Sequence, residues 1–133
     1  MQHIPASELT RVPPLPEQYH PYFDGETALR ELFVNADPDT ASVLFVRFEP
    51  GARNNWHRHT GGQLLFVTEG EGYVQVRGEE PTVIRAGDAV ACPPDEEHWH
   101  GATPDGPGMT HLAVTYGKIV WLEGHDGADG GIR

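Results

Sequence analysis

Five histidines fall in three short stretches of the sequence and could together hold a metal ion. His57 and His59 are two residues apart. His98 and His100 repeat that spacing, and His111 follows further along the chain. On a β-strand, side chains two residues apart project from the same face, so each pair can direct both imidazoles at one point. Because imidazole is the commonest protein ligand of transition metals, this set predicts a bound divalent metal.

The segment around His111 has a side that could line a cavity. The run "MTHLAVT" places Met109, Ala113 and Thr115 on the same strand face as this histidine. Small or soft side chains leave room beside the imidazole, so the face predicts a cavity wall. The remaining histidines lie towards the two ends of the chain and are expected to be solvated surface residues: His3, His20 and His125.

The central part of the chain has the pattern of successive short β-strands. Apolar, β-branched and aromatic runs alternate with turns rich in glycine and proline. The predicted strands cover residues 42–49, 63–70, 72–78, 82–88, 89–93 and 109–116. The second and third of these are bracketed by glycines and are expected to form a hairpin. Only residues 25–34 and 117–124 could hold a helical turn, so the pattern predicts an all-β barrel or sandwich with little helix.

Composition divides the chain into three parts. Residues 1–25 are rich in proline and aromatic residues and are predicted to form an extended arm lying on the body. Residues 26–122 are predicted to be a single barrel domain, which suits a chain of 133 residues. Residues 123–133 are rich in glycine and aspartate and are expected to be a flexible tail.

One predicted strand is apolar on both faces. In "SVLFVRFE", Leu44, Val46 and Phe48 share one face, and Val43 and Phe45 share the other. The outer face of an isolated barrel would be expected to be polar. A strand that is apolar on both sides therefore predicts that a second protomer covers the outside, in a homodimer.

Charge and cysteine content exclude several classes of partner. The formal net charge is -11 and the pI is about 5.0, which disfavours binding to nucleic acid or to an anionic membrane. No apolar run reaches the length of about 18 residues that a membrane span requires. The single cysteine cannot form an internal disulfide. The start of the sequence lacks the pattern of a secretory signal, so a cytoplasmic location is expected.

The first histidine pair lies within a longer motif that resembles the first motif of the cupin superfamily. That motif has a glycine, a histidine pair of this spacing, an acidic ligand and a second glycine. Here Gly51, the pair His57 and His59, then Gln63 and Gly70 occupy these positions with matching spacing. Gln63 is a departure, because glutamine stands where cupins usually have glutamate.

The second histidine pair lies in a segment that resembles the second cupin motif. That motif has a glycine, a P-x-G turn, a histidine and an asparagine, and here Gly87, Pro93 and His98 match it in order. Asp95 and Ala102 replace the turn glycine and the asparagine, and aspartate tolerates a left-handed turn better than most residues. The resemblance implies an all-β, single-domain cupin barrel of two antiparallel sheets, of the jelly-roll type.

A narrower resemblance connects the chain with small bacterial cupins that bind manganese, some of which act as hydroxynitrile lyases. By position it implies four metal ligands: His57, His59, Gln63 and His98. Manganese is the ion that the resemblance favours, with iron(II), zinc and nickel as alternatives. Because all four ligands are neutral, the metal would keep its full +2 charge and act as a strong Lewis acid.

The remaining residues around the two motifs suggest a base and a substrate pocket. The resemblance makes His111 the favoured catalytic base and His100 a second catalytic residue in the cavity. Arg53 and Arg58 flank the first motif and are expected to be solvated loop residues. Five further side chains are candidates for the walls of the substrate pocket: Leu44, Val46, Phe48, Trp99 and Thr115.

The sequence favours a metal-dependent enzyme that acts on a small organic substrate. The sharpest version is a hydroxynitrile-lyase-like activity that cleaves or forms the carbon–carbon bond of a cyanohydrin. Three alternatives stay open at this point. They are a cyclase of aromatic polyketides, an iron-dependent dioxygenase, and a non-catalytic cupin that binds a ligand.

Overall fold

The computed structural model describes residues 1–34 and 40–125. Within this part of the chain, strands predominate and helix is limited to two short segments. The elements are α1 (Ala6–Leu9), a 3₁₀ helix (Glu17–Tyr22), β1 (Phe23–Asp24), β2 (Thr27–Phe33), β3 (Ser42–Phe48), β4 (Arg53–Asn54), β5 (His57–His59), β6 (Gln63–Val76), β7 (Thr82–Arg85), β8 (Ala89–Cys92), β9 (His98–Ala102), β10 (Met109–Thr115) and β11 (Ile119–Trp121).

The strands pair into a sheet that nearly closes into a barrel. Along the main path the order is β1–β4–β9–β6–β10–β3–β2. β7 and β8 also pair with β6, while β5 pairs with both β9 and β11. Each of the described pairings is antiparallel. The predicted all-β barrel is thereby confirmed. No helix in the described ranges is long and apolar enough to cross a membrane.

β6 is one long strand that belongs to both halves of the sheet. Its first half pairs with β8 and β10, and its second half pairs with β7 and β9. The predicted hairpin over this region is therefore wrong. Gly70, with φ of 82°, allows the backbone to bend without turning back, and a Cβ atom here would lie 1.9 Å from the Gly108 carbonyl oxygen.

The two segments that were assigned helical potential are both strands. β2 pairs along its length with β3, and β11 pairs with β5, which carries the first histidine pair. These segments are too short for the spacing of their apolar residues to distinguish a helical turn from a strand. Pairing with neighbouring strands decides the conformation, which is a tertiary effect that local sequence does not carry.

The N-terminal region contains short helices and packs against the barrel. Tyr22 stacks on Trp121 with ring centroids 4.5 Å apart, and Phe23 packs against Phe48 at 6.0 Å. Pro14 forms an isolated bridge with Ala28 at the edge of β2. The region therefore contributes aromatic side chains to the interior.

The predicted tail begins close to the barrel. His125 is half-buried, its Nε2 lies 2.8 Å from the Asn54 carbonyl oxygen, and its ring packs against Trp99. The expectation of a solvated residue is therefore wrong for His125, whereas His3 and His20 are exposed as expected. Residues 126–133 of the predicted tail lie outside the described residues.

The core of the barrel is built from the inward-facing positions of the strands. It contains Leu29, Val46, Phe48, Val67, Val74, Ile84 and Met109 among its buried apolar residues. On the opposite face of β6, Leu64 and Phe66 are each 46% exposed. One face of this strand is therefore packed, and the other leaves large apolar side chains in water.

The crossing of β6 between the two halves of the sheet can be tested with a pair of glycine variants. We expect Gly70→Ala to lower the free energy of unfolding by more than about 3 kcal/mol, because the new Cβ overlaps a backbone oxygen. Gly78 also has positive φ, at 86°, but a Cβ atom added there would meet no atom of the described chain within 4 Å. Gly78→Ala should therefore cost only about 1–2 kcal/mol. Urea unfolding measures both, and equal losses would contradict the steric argument.

Candidate metal centre and cavity

Three separate strands bring the five central histidines into the barrel interior. His57 and His59 lie on β5, His98 and His100 on β9, and His111 on β10. His57 and His98 are register partners, so the two pairs meet directly across neighbouring strands. All five side chains are buried.

Three of these imidazoles and one amide surround a common point. The ring centroids of His57 and His98 are 4.5 Å apart, and those of His57 and His59 are 5.0 Å apart. Gln63 begins β6 and places its Oε1 3.1 Å from His98 Nε2. The preceding pair, Gly61 and Gly62, makes the turn that leads from β5 into β6, and Gly62 has φ of 89°.

Hydrogen bonds to backbone carbonyls determine which nitrogen atoms face this point. His57 Nδ1 donates to the Asn55 carbonyl at 2.8 Å, and His98 Nδ1 donates to the Glu96 carbonyl at 2.9 Å. In a neutral ring the other nitrogen, Nε2, then carries a lone pair. Within the described part of the chain, His59 is buried with no hydrogen-bond partner for either ring nitrogen.

These atoms are arranged to bind a cation, and without a cation they cannot hydrogen-bond to one another. His98 Nε2 and Gln63 Oε1 are both acceptors, yet they lie 3.1 Å apart in a buried site. Such a separation matches two neighbouring ligands of an octahedral ion with bonds of about 2.1–2.2 Å. The donor set is nitrogen and oxygen with no thiolate, which suits a divalent ion such as manganese or iron(II). The residues therefore fit a divalent metal.

A second combination of imidazoles could also hold an ion. His57, His98 and His100 each offer a nitrogen atom, and these atoms lie within 4.8 Å of one another. This triad shares two members with the set that the resemblance to cupins implies, and it has His100 in place of His59 and Gln63. The two sets overlap because their members lie close together: His57, His59, Gln63 and His100 line one cavity, and His98, which is not part of its lining, packs against the His57 ring.

His100 and His111 form a pair next to this centre. His111 Nε2 lies 3.1 Å from His100 Nδ1, and Phe48 packs against both rings. The backbone N–H of His100 donates to Asn54 Oδ1 at 2.9 Å. His111 Nδ1 is buried without a hydrogen-bond partner among the described residues. One imidazole of the pair can therefore exchange a proton with the other or with a bound ligand.

Burial keeps the central imidazoles neutral. It lowers the pKa of His59 to about 3 and that of His111 to about 4. The pKa values of His57 and His100 lie well below the ordinary value, first because of burial and then because of neighbouring histidines. Burial also lowers the pKa of His98. At neutral pH all five rings are uncharged, which is the form that binds metals and accepts protons.

The cavity has a volume of about 160 Å³ and mostly apolar walls. Four of the predicted pocket residues line it: Leu44, Val46, Phe48 and Thr115. Trp99 is absent from its lining, and its indole Nε1 donates to Gln75 on the next strand. The prediction for Trp99 is therefore wrong, because alternation along β9 turns its side chain away from the two histidines.

Several cavity residues were not predicted from the sequence. The walls also include Tyr19, Phe23 and Trp121, which come from the N-terminal region and from β11. The aromatic content of both segments was visible in the sequence, but their proximity to the barrel interior depends on tertiary packing.

The surroundings of the two motifs contain one confirmed expectation and two corrections. Asp95 has φ of 65°, so it takes the left-handed turn that the cupin pattern assigns to glycine. Arg58 was expected to be a solvated loop residue, but it lies on β5, is only partly exposed and pairs with Asp95 at 2.5 Å. Arg53 was expected to be a solvated loop residue, but it is buried and lies over the ring of Trp99.

Acid should destabilise the metal-free protein. In the unfolded chain imidazoles titrate near the ordinary pKa of about 6.5, so protons bind the unfolded state first as the pH falls. The stability contributed by a neutral buried histidine is therefore complete above about pH 6.5 and is lost below it. For His59 and His111 we expect a loss of about 2 kcal/mol each at pH 5, measured by urea unfolding after chelation of metal.

Substitutions distinguish buried from exposed histidines in that experiment. His59→Gln should reduce the difference in stability between pH 7 and pH 5, because one buried titrating group is removed. The matched change of the exposed His3 to Gln should leave the difference unaltered. An equal effect of the two substitutions would contradict the assignment of acid sensitivity to the cavity.

Two curated proteins resemble this chain in sequence. An (R)-mandelonitrile lyase of Granulicella tundricola is 44% identical over 106 residues, which cover 77% of this chain and 80% of that protein. The dimethylsulfoniopropionate lyase DddW of Ruegeria pomeroyi is 37% identical over 84 residues, which cover 62% of this chain and 55% of that protein. The chain thus spans most of the first relative and about half of the second.

A solved structure and a family model agree with these relatives. The crystal structure of a cupin-like protein from Thermotoga maritima superposes with a TM-score of 0.75 and 37% sequence identity. The superposition covers 79% of this chain and 82% of that protein. The family model described as a cupin domain matches residues 44–115, which include the five central histidines. The chain belongs to the cupin family.

Proposed function

We propose that this protein is a metal-dependent lyase that cleaves, or in reverse forms, the carbon–carbon bond of a cyanohydrin. The observation that carries the proposal is a cluster of buried acceptor atoms on His59, Gln63 and His98 that have no hydrogen-bond donor among the described residues. This cluster lies next to the neutral pair His100 and His111. Identity of 44% to an (R)-mandelonitrile lyase supports this reaction. The proposed ligands are His57, His59, Gln63 and His98, with manganese as the proposed ion.

The role of His100 distinguishes the two possible metal sites. In the proposed set, His100 is not a ligand and remains available to act with His111. His100 Nδ1 lies 3.1 Å from His111 Nε2. In the alternative set, His100 would be a ligand and the pair would lose one member. The proposed set therefore leaves both a metal and a base facing the same cavity.

A bound divalent ion would supply Lewis-acid polarisation of the substrate hydroxyl or carbonyl oxygen. His111 accepts the hydroxyl proton, either directly or through His100. The carbon–carbon bond then breaks, its electron pair leaves with cyanide, and a carbonyl group remains. The protonated histidine pair returns its proton to cyanide, so the enzyme is regenerated and the products are an aldehyde or ketone and hydrogen cyanide.

The low basicity of His111 requires an acidified substrate. A pKa of about 4 means that the ring is neutral at pH 7 and available as a base. The same value means that it takes a proton only from a group whose own pKa has been lowered. A cation held by neutral ligands would lower the pKa of a hydroxyl group more than one held by a carboxylate, because the charge is not partly cancelled.

The dimensions and walls of the cavity favour a small, apolar substrate. The cavity volume is about 160 Å³. A water molecule occupies about 30 Å³ in the liquid, so the cavity has room for more than a single water molecule. It is smaller than the range of about 300–1,000 Å³ that is typical of larger ligands. An extended polyketide chain would not be enclosed, so the cavity gives the cyclase alternative little support. Aromatic walls suit an aryl group.

The dioxygenase and the non-catalytic alternatives make different predictions in solution. A dioxygenase would consume oxygen when loaded with iron(II), whereas cyanohydrin cleavage is indifferent to oxygen. A ligand-binding cupin would bind mandelonitrile or benzaldehyde without turnover. These outcomes are measured on the same purified protein.

We also propose that the protein is a homodimer joined through the outer face of the sheet. Leu64 pairs with Val114, and Phe66 pairs with Leu112, in the register of β6 and β10. Val114 in turn pairs with Val43 on β3, so apolar side chains continue across three strands. The exposed apolar residues of β6 would become buried in such an assembly.

The lyase proposal can be tested with mandelonitrile and the manganese-loaded protein. We expect release of cyanide that depends on the metal and is independent of oxygen. His57→Ala should abolish both stoichiometric manganese binding and turnover, because it removes a shared member of both possible sites. His111→Gln should keep the metal and reduce kcat by about 100-fold or more. No cyanide release at full manganese occupancy would exclude this reaction.

The role of the neutral amide can be tested in the same assays. Gln63→Glu should bind manganese more tightly and turn over cyanohydrin more slowly, because the carboxylate cancels part of the metal charge. Elemental analysis and a cyanide assay give the two readouts. Unchanged values of both would show that Gln63 is not a ligand.

The dimer can be tested by light scattering coupled to gel filtration. We expect a mass twice that of the 14.6 kDa chain. Phe66→Glu should produce monomers, because a charge would be buried in the apolar interface. Val83, which is also exposed but lies on β7, provides the matched control Val83→Glu, which should stay dimeric. A monomeric unsubstituted protein would refute the proposal.

A further inference from the structure

We infer that Asn54 is a further substrate-binding residue, whose side-chain NH₂ group donates a hydrogen bond to the nitrile nitrogen of the cyanohydrin. This inference rests on the proposed function and names the group that would receive the nitrile. Asn54 lies on β4 and is only 2% exposed. It lines the same cavity as His100 and His111.

The backbone of β9 fixes the orientation of the Asn54 amide. The backbone N–H of His100 donates to Asn54 Oδ1 at 2.9 Å. A backbone N–H can only donate, so a reversed amide would place its NH₂ group against another donor and leave a buried N–H without an acceptor. The amide oxygen therefore faces the backbone, and the NH₂ group faces the His100 ring.

This NH₂ group keeps one N–H bond available for a ligand. Asn54 Nδ2 lies 3.3 Å from His100 Nε2 and 3.4 Å from His100 Nδ1. A neutral imidazole has a single lone pair, so the ring can accept at most one of the two N–H bonds. Among the described residues, Nδ2 has no further acceptor. A buried N–H without a partner favours a ligand that brings an acceptor into the cavity.

The proposed reaction places a nitrile group within reach of this donor. The cyanohydrin hydroxyl would be polarised by the metal, and the departing cyanide would take a proton from the pair His100 and His111. The cyano group must therefore lie beside that pair, and Asn54 Nδ2 is 3.3 Å from one of its members. A nitrile nitrogen accepts hydrogen bonds and cannot donate them. Because negative charge grows on the cyano group as the carbon–carbon bond breaks, the hydrogen bond from Asn54 would strengthen in the transition state.

Two unreactive ligands that differ at one atom provide the test. Phenylacetonitrile and propargylbenzene have the same aryl group and nearly the same length, but the alkyne has a C–H where the nitrile has its nitrogen. We expect the manganese-loaded protein to bind the nitrile about tenfold more tightly than the alkyne. Asn54→Leu has a similar size and no donor, so it should bind the two ligands within about twofold of each other. Calorimetric titration measures the affinities.

Two controls isolate the hydrogen bond. The same ratio of affinities is expected after chelation of metal, where a bond between the nitrile and the ion cannot contribute. Ser42→Ala removes a different polar group from the cavity wall and should leave the tenfold ratio unaltered. A change that merely distorts the cavity would affect both ligands alike, because their shapes match.

The ratio of affinities decides the outcome. Equal binding of nitrile and alkyne by the unsubstituted protein would overturn the inference, and so would a tenfold preference that persists in Asn54→Leu. Should the leucine variant not fold, Asn54→Val removes the same donor with a side chain that suits a strand, and it is judged by the same ratio.

Ligand binding and turnover separate this inference from the proposed function. If Asn54→Leu loses the preference for the nitrile while the unsubstituted protein releases no cyanide, the nitrile contact is confirmed and the proposed reaction fails. If cyanide is released and the preference is the same in both proteins, only the role of Asn54 is refuted. Where both are confirmed, we expect Asn54→Leu to lower kcat for mandelonitrile by about tenfold or more.

Discussion

The hydrogen bonds from His57 Nδ1 to the Asn55 carbonyl and from His98 Nδ1 to the Glu96 carbonyl determine what the cavity can bind. Each bond fixes one nitrogen as a donor to the backbone and leaves the other as an acceptor facing inward. The acceptor carbonyls lie two residues before their histidines on the chain, so the rings are held by the loops that lead into β5 and β9. Without these bonds the imidazoles could rotate and satisfy one another, which would remove the inward-facing lone pairs on which the proposed metal site depends.

The same burial that suits the histidines to the proposed metal site also constrains the chemistry proposed there. Removing water from the histidines keeps them neutral, which suits ligands, but it makes His111 a weak base with a pKa of about 4. In the proposed reaction, a weak base and a metal held by neutral ligands would compensate for each other, since the base requires an acidified hydroxyl group and the metal would supply it. This relation explains why a glutamine at position 63 is chemically consistent with the nearby histidine pair. If Gln63 is a ligand as proposed, a carboxylate at this position would bind the metal more tightly and lower the pKa of a substrate hydroxyl less.

The short-range patterns of the sequence predicted much of the site, and the long-range packing could not be predicted. The spacing within each histidine pair is a property of a single strand, so it was visible in the sequence. The role of β6 in both halves of the sheet was not visible, because two glycine-bounded apolar runs have the same pattern whether they form a hairpin or one bent strand. The aromatic wall formed by Phe23 and Trp121 requires contact between distant parts of the chain, and Trp99 was assigned to the wrong side although alternation predicted its direction.

The pairing of β11 with β5 has a consequence for biosynthesis. The strand that carries His57 and His59 is hydrogen-bonded to Ile119–Trp121, and Trp121 also packs against the His57 ring at 5.0 Å. During translation the ligand strands emerge well before the strand that supports them. A ribosome-bound chain that ends before β11 lacks this support and one wall of the cavity. The complete cavity can therefore form only after β11 has emerged, and binding of an ion at the proposed site would follow that step.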